Sequence, residues 1–93
     1  MRLSKQEITV IKSSIEKLDP KAKIYLFGSR TDPNKKGGDI DILIISNFLN
    51  DLDKIKIKIE IFKQLEEQKI DLVIAQDESL PFVRIALKTG IKL

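Results

Sequence analysis

The 93-residue chain has no cysteine and no histidine. The first absence excludes disulfides and zinc held by thiolates. The second removes imidazole as a general base and with it the histidine-centred triads. Any catalysis must rest on carboxylates, hydroxyls, lysine, arginine or a metal held by oxygen ligands. No apolar run approaches the roughly 20 residues that a membrane-spanning helix needs. A secretory apolar stretch is also missing at the N-terminus, so the expected compartment is the cytoplasm. Aromatics are scarce, with four Phe, one Tyr and no Trp, and no platform for stacking RNA bases is visible. Charge is not concentrated in a block: the net +3 comes from scattered lysines. Such a surface suits a polyanionic substrate or an acidic partner but is too diffuse to mark a nucleic-acid binder.

What is present fits one small domain spanning residues 1–93. Ser4-Lys5-Gln6-Glu7 is a capping-box pattern, and Ile8, Ile11, Ile15 and Leu18 follow at helical spacing. Asp19-Pro20 ends that helix. Strands are expected over Ala22–Phe27, Asp39–Ile45 and Ile70–Ala75, with a Gly-, Asn- and Lys-rich loop over Thr31–Gly38. A last helix is expected over Ser79–Lys88, with Phe82 and Ile85 closing the core and Gly90 as its C′ residue. The stretch Asp51–Gln68 fits two periods. "KIKIKIEIF" alternates like a half-buried strand, while Leu52, Ile55, Ile59, Phe62 and Leu65 fall on one helical face. Length and the lack of glycine and proline favour the helix. Isoleucines left exposed there would mark a protein interface.

The chemistry-bearing residues gather around two of the strands. Asp39 and Asp41 are two apart at a strand start, which places them on one side, about 6.5–7 Å apart along the strand. Such a pair is met by solvent, by a basic partner, or by one or two Mg²⁺ ions that also bind phosphates. Gly28-Ser29 directly follows the preceding strand. Glycine permits close backbone approach to an anion, the serine adds a hydroxyl donor, and Arg30 adds a planar cation suited to phosphate oxygens. Asp71 opens the third strand in "KIDLVI", a pattern like "GDIDILI". Taken singly, each piece is better explained by turn chemistry or by a carboxylate at a wet strand rim.

Their order is more specific. A Gly-Ser at a strand end, an Asp-x-Asp on the next strand and an aspartate on a later one resemble the nucleotidyltransferase superfamily that includes DNA polymerase β. Within it, the chain is most similar to the minimal nucleotidyltransferases. The resemblance runs through the lead helix, "LFGSR", "GDIDILI", "IDLVI" and "PFVRIALKTGIKL". It implies an α+β, palm-like core: a small mixed sheet flanked by helices on one side. It also implies that Gly28 and Ser29, with Arg30 beside them, bind a nucleoside triphosphate. Asp39, Asp41 and Asp71 are then the catalytic carboxylates and ligands of two Mg²⁺ ions. Gly38 departs from the serine common at that position in the family, which is expected to alter the loop's geometry.

The implied reaction moves AMP from ATP to a hydroxyl group. No acceptor-recognition domain is expected within these 93 residues. Minimal nucleotidyltransferases of this kind are commonly antitoxins that modify a HEPN-type ribonuclease toxin, so a separate toxin chain is the expected partner, and assembly with it is compatible with the sequence. Two alternatives stand beside this reading: a catalytically silent antitoxin that binds and blocks its partner, and a free-standing transferase acting on RNA or a small molecule.

Overall fold

The structure is a computed structural model that describes residues 2–35, 38–65 and 69–93. Its elements are α1 (Lys5–Glu16), β1 (Lys23–Phe27), a single 3-10 turn (Gly28–Thr31), β2 (Ile40–Ile45), α2 (Asp51–Gln64), β3 (Ile70–Ala75), α3 (Pro81–Thr89) and β4 (Ile91–Lys92). The four strands form one sheet in the order β3-β2-β1-β4. β1 is antiparallel to both β2 and β4, whereas β2 and β3 are parallel. The mixed sheet and α+β class expected from the sequence are therefore present. The short terminal strand β4 was not expected.

Local chemistry explains the helix starts. Ser4 Oγ accepts from the Glu7 amide at 3.0 Å, and Glu7 Oε1 accepts from the Ser4 amide at 2.8 Å, so two otherwise orphaned donors are satisfied. Asn50 and Asp53 repeat the arrangement at the start of α2, with bonds of 3.1 and 2.9 Å. Topology also favours a helix there, because parallel neighbours such as β2 and β3 need a long crossover connection, which is usually helical. The helical reading of this stretch holds for Asp51–Gln64, and residues 66–68 lie outside the described residues.

The buried face of α2 differs from the one expected. Ile57 and Ile61 are fully buried, while Leu52, Ile55, Ile59 and Phe62 are exposed. Residues two apart on a helix lie about 200° apart around its axis. The alternating isoleucines therefore split between two sides, one facing the sheet and one facing solvent.

The helices, expected on one side of the sheet, divide between its faces. α1 and α2 bury Val10, Ile11, Ile15, Ile57 and Ile61 against Ile24, Leu26, Ile40, Ile42 and Ile44. α3 covers part of the opposite face, where Val83 and Ala86 pack on Leu43, Ile45 and Ala75. The reason lies in β2: Ile42 to Ile45 are all buried, and such a strand needs cover on both sides. α3 starts at Pro81, a favoured first helical residue, and in this phase Val83 and Ala86 face inward. Phe82 and Ile85, expected in the core, are instead 49% and 67% exposed. Gly90 is the C-cap itself rather than the C′ residue expected, and its φ is −70°. Its glycine identity answers to close packing, because a Cβ there would lie 2.7 Å from the Ala86 carbonyl oxygen. Among the described residues, no helix is long and apolar enough to cross a membrane.

The two sides of α2 give a direct test. Ile57→Ala is expected to cost about 2–5 kcal/mol of stability, as for buried isoleucines generally. Ile59→Ala should stay within about 0.5 kcal/mol of the parent. Urea denaturation of both variants measures the difference, and equal losses would contradict the assigned face.

Candidate active site

Register builds the site. In the parallel pair Asp41 stands beside Asp71, and in the antiparallel pair Phe27 stands beside Asp41. Directly paired residues project to the same face of a sheet. Phe27, Asp41 and Asp71 thus form a row across three strands, on the face partly covered by α3. Neighbouring strands lie about 4.8 Å apart, which sets the backbone spacing of the two aspartates. Asp39 stands just ahead of Ile40, the first residue of β2, whose amide donates to the Lys69 carbonyl at 2.9 Å. The three aspartates expected to act together are brought to one end of the sheet.

Their electrostatics follow from that crowding. Burial raises the pKa of Asp41 above its ordinary value, and the negative charges of Asp71 and then Asp39 raise it further. Among the described residues, none of the three carboxylates is ion-paired. Nor do any three acidic side chains among those residues form a ready metal-binding cluster. They are neighbours that repel across a strand spacing, held apart rather than closed into a cage. The donor set fits a hard divalent cation, which prefers carboxylate oxygens and would relieve the repulsion that lifts Asp41.

The turn after β1 is shaped around this row. Gly28 has a φ of +74°, and a Cβ at that position would overlap the Asp41 carboxylate. A side chain is excluded there twice over, by conformation and by space. The chain then forms the short Gly28–Thr31 turn, in which Thr31 Oγ1 donates to the Gly28 carbonyl at 2.7 Å. Gly38 has a φ of +91°, and a Cβ on it would overlap the Ser29 hydroxyl. The two loop ends therefore approach closely, and a serine at position 38 would require a different loop path.

Arg30 and Arg2 hold the turn in place. Arg30 donates from Nη1 to the Arg2 carbonyl at 2.9 Å and from Nε to the Gly38 carbonyl at 3.1 Å. Arg2 returns bonds from its amide to the Arg30 carbonyl at 2.8 Å, from Nε to the Asp32 carbonyl at 2.9 Å and from Nη2 to the Ser29 carbonyl at 3.0 Å. The Arg30 guanidinium is thus a brace for the loop as well as a cation beside it. Arg2 escaped the sequence reading because nothing local distinguishes it from a surface arginine. Its importance arises from a contact 27 residues away in sequence.

The raised pKa of Asp41 makes a prediction with a definite sign. A carboxyl whose folded pKa exceeds its unfolded value weakens the fold while it is ionised, and that penalty fades as pH falls through the raised value. Without divalent ions, Asp41→Asn should therefore melt at a higher temperature than the parent near neutral pH, with the gap closing on acidification. Thermal melts across pH test this, and a variant that melts lower throughout would overturn the assignment.

The family model for the nucleotidyltransferase domain matches residues 8–93, which include all three aspartates and the Gly-Ser turn. No curated protein matches the chain. Domains of the matched family generally use a nucleoside triphosphate and a divalent metal ion. The chain belongs to the nucleotidyltransferase domain family, and its class of chemistry is nucleotidyl transfer.

Proposed function

We propose that this protein transfers AMP from ATP to a hydroxyl of a separate protein, and that the acceptor is a HEPN-type ribonuclease toxin which the transfer neutralises. The observation that carries the transfer is the order of groups across the sheet. The Gly28 turn lies on one side of Asp41 and Asp71 on the other. That order matches an in-line displacement, with the leaving pyrophosphate toward β1 and the attacking hydroxyl toward β3. The acceptor oxygen bonds to the α-phosphorus, and the bond from that phosphorus to its bridging oxygen breaks.

Gly28 and Ser29 receive the β- and γ-phosphates, with Arg30 fixing the loop that presents them and adding positive charge. Asp39 and Asp41 would hold one Mg²⁺ ion, and Asp71 with Asp41 a second. When bound, these ions supply charge neutralisation on the phosphates and a lowered pKa for the acceptor hydroxyl. Asp71, the most exposed of the three, stands where the acceptor arrives and can take its proton. Most of the rate gain comes from positioning and electrostatics.

The separate acceptor is supported by α2. Leu52, Ile55, Ile59 and Phe62 form an exposed apolar stripe, bordered by the exposed lysines Lys56 and Lys63. An acid-rimmed apolar surface on another protein would complement it.

Mass spectrometry of the toxin after incubation with the protein, ATP and Mg²⁺ tests the proposal. The expected result is an added AMP unit, lost with the double variant Asp39→Asn, Asp41→Asn together with neutralisation. Neutralisation that survives the double variant would instead assign the protein as a blocking antitoxin.

A further inference from the structure

Of the chain's four phenylalanines, two meet beside the aspartate row. Phe82, in the first turn of α3, is half exposed although it is a large apolar ring. It meets Phe27 edge to face, with ring centroids 5.9 Å apart and planes at 84°. Phe27 is the strand partner of Asp41 and the residue just before Gly28. α3 itself lies over β1 and the Gly28–Thr31 turn. Phe82 is therefore fixed by one edge contact, on the carboxylate face of the sheet, one aromatic ring removed from the catalytic row. Ile85, one helical turn on, is also exposed and extends the apolar surface.

We propose that Phe82 is the stacking wall for the nucleobase of the triphosphate substrate, a deepening that rests on the nucleotide reading of the site. A nucleotide whose phosphates occupy the Gly28 turn must lay its base on one of the surfaces bordering that turn. The polar borders are the aspartate row and the arginine-braced loop. The apolar border is α3, where Phe82 offers a ring. The alternative use of the ring, contact with the acceptor, is disfavoured by its side of the site: Phe82 leans on β1, whereas Asp71 and the acceptor's approach belong to β3. Edge contact with Phe27 supports one side of the Phe82 ring and leaves the rest of it open to a base. Stacking on a hydrocarbon ring has no hydrogen-bond code, so the wall accepts any base and favours the larger purines through area alone.

The test compares magnesium complexes of ATP and of inorganic tripolyphosphate, which lacks the base, by calorimetry. Phe82→Ala and Phe82→Leu are expected to weaken ATP binding roughly tenfold, the size of one lost stacking contact, and to leave tripolyphosphate affinity unchanged. Leucine keeps apolar bulk without a ring, and matching melting temperatures establish that both variants fold. Phe82→Trp should retain ATP affinity. Because the chain has no other tryptophan, its fluorescence should change with ATP but not with tripolyphosphate. If tripolyphosphate binds the parent protein but ATP affinity ignores all three substitutions, the base wall is overturned and the phosphate site stands. Wild-type leucine-variant affinity, or unchanged ATP binding with impaired transfer to the acceptor protein, would overturn it likewise. If neither ligand binds the parent protein, the nucleotide reading falls and the wall with it.

Discussion

Like charges gathered at the end of an apolar strand govern this structure. β2 is buried on both faces from Ile42 to Ile45, so its polar residues must sit where the strand leaves the core. Asp41 occupies that boundary, with Asp39 ahead of it and Asp71 alongside. Desolvation and mutual repulsion both act against its ionised form. The core pushes the carboxylates to one edge, while the register keeps them from spreading apart. An arrangement of this kind is costly for a lone folded chain and well suited to a site that takes up cations with its substrate. Strain of this sort concentrates where proteins do chemistry.

The loop opposite the carboxylates answers the same constraint from the other side. Two glycines with positive φ let backbone approach the Asp41 carboxylate and the Ser29 hydroxyl. The exchange of bonds between Arg2 and Arg30 then holds that backbone still. Positioning is the main resource of phosphoryl-transfer chemistry, because the transition state needs oriented charge more than covalent help. A four-residue turn would be a loose support without the clasp. With it, the N-terminal segment becomes part of the support for the Gly28 turn.

α2 serves two ends at once. As the crossover between parallel strands, it buries Ile57 and Ile61 and thereby fixes β3 beside β2, which is what aligns Asp71 with Asp41. Its outer side keeps a second apolar stripe. A chain of this length has little surface to spare, and a stripe of four large apolar side chains is a costly feature to leave bare. Its use as a contact surface is consistent with the proposed acceptor being a separate protein.

Short-range patterns in the chain specify the parts. The box at Ser4–Glu7, the three main strands, the Gly28-Ser29 turn and the three aspartates are all written in short-range patterns, because capping, alternation and turn chemistry act between residues a few positions apart. Tertiary structure decided what those parts face. Which side of α2 is buried, which side of α3 meets the sheet, and the exposure of Phe82 and Ile85 depend on how a helix is rotated when it docks. An isoleucine alternation with apolar residues on both sides of the helix leaves that rotation open. The Arg2–Arg30 clasp and the addition of β4 to β1 join segments remote in sequence, so no local pattern records them. Even the aspartate row, legible as three motifs, became a site only through the parallel register that set one carboxylate beside another.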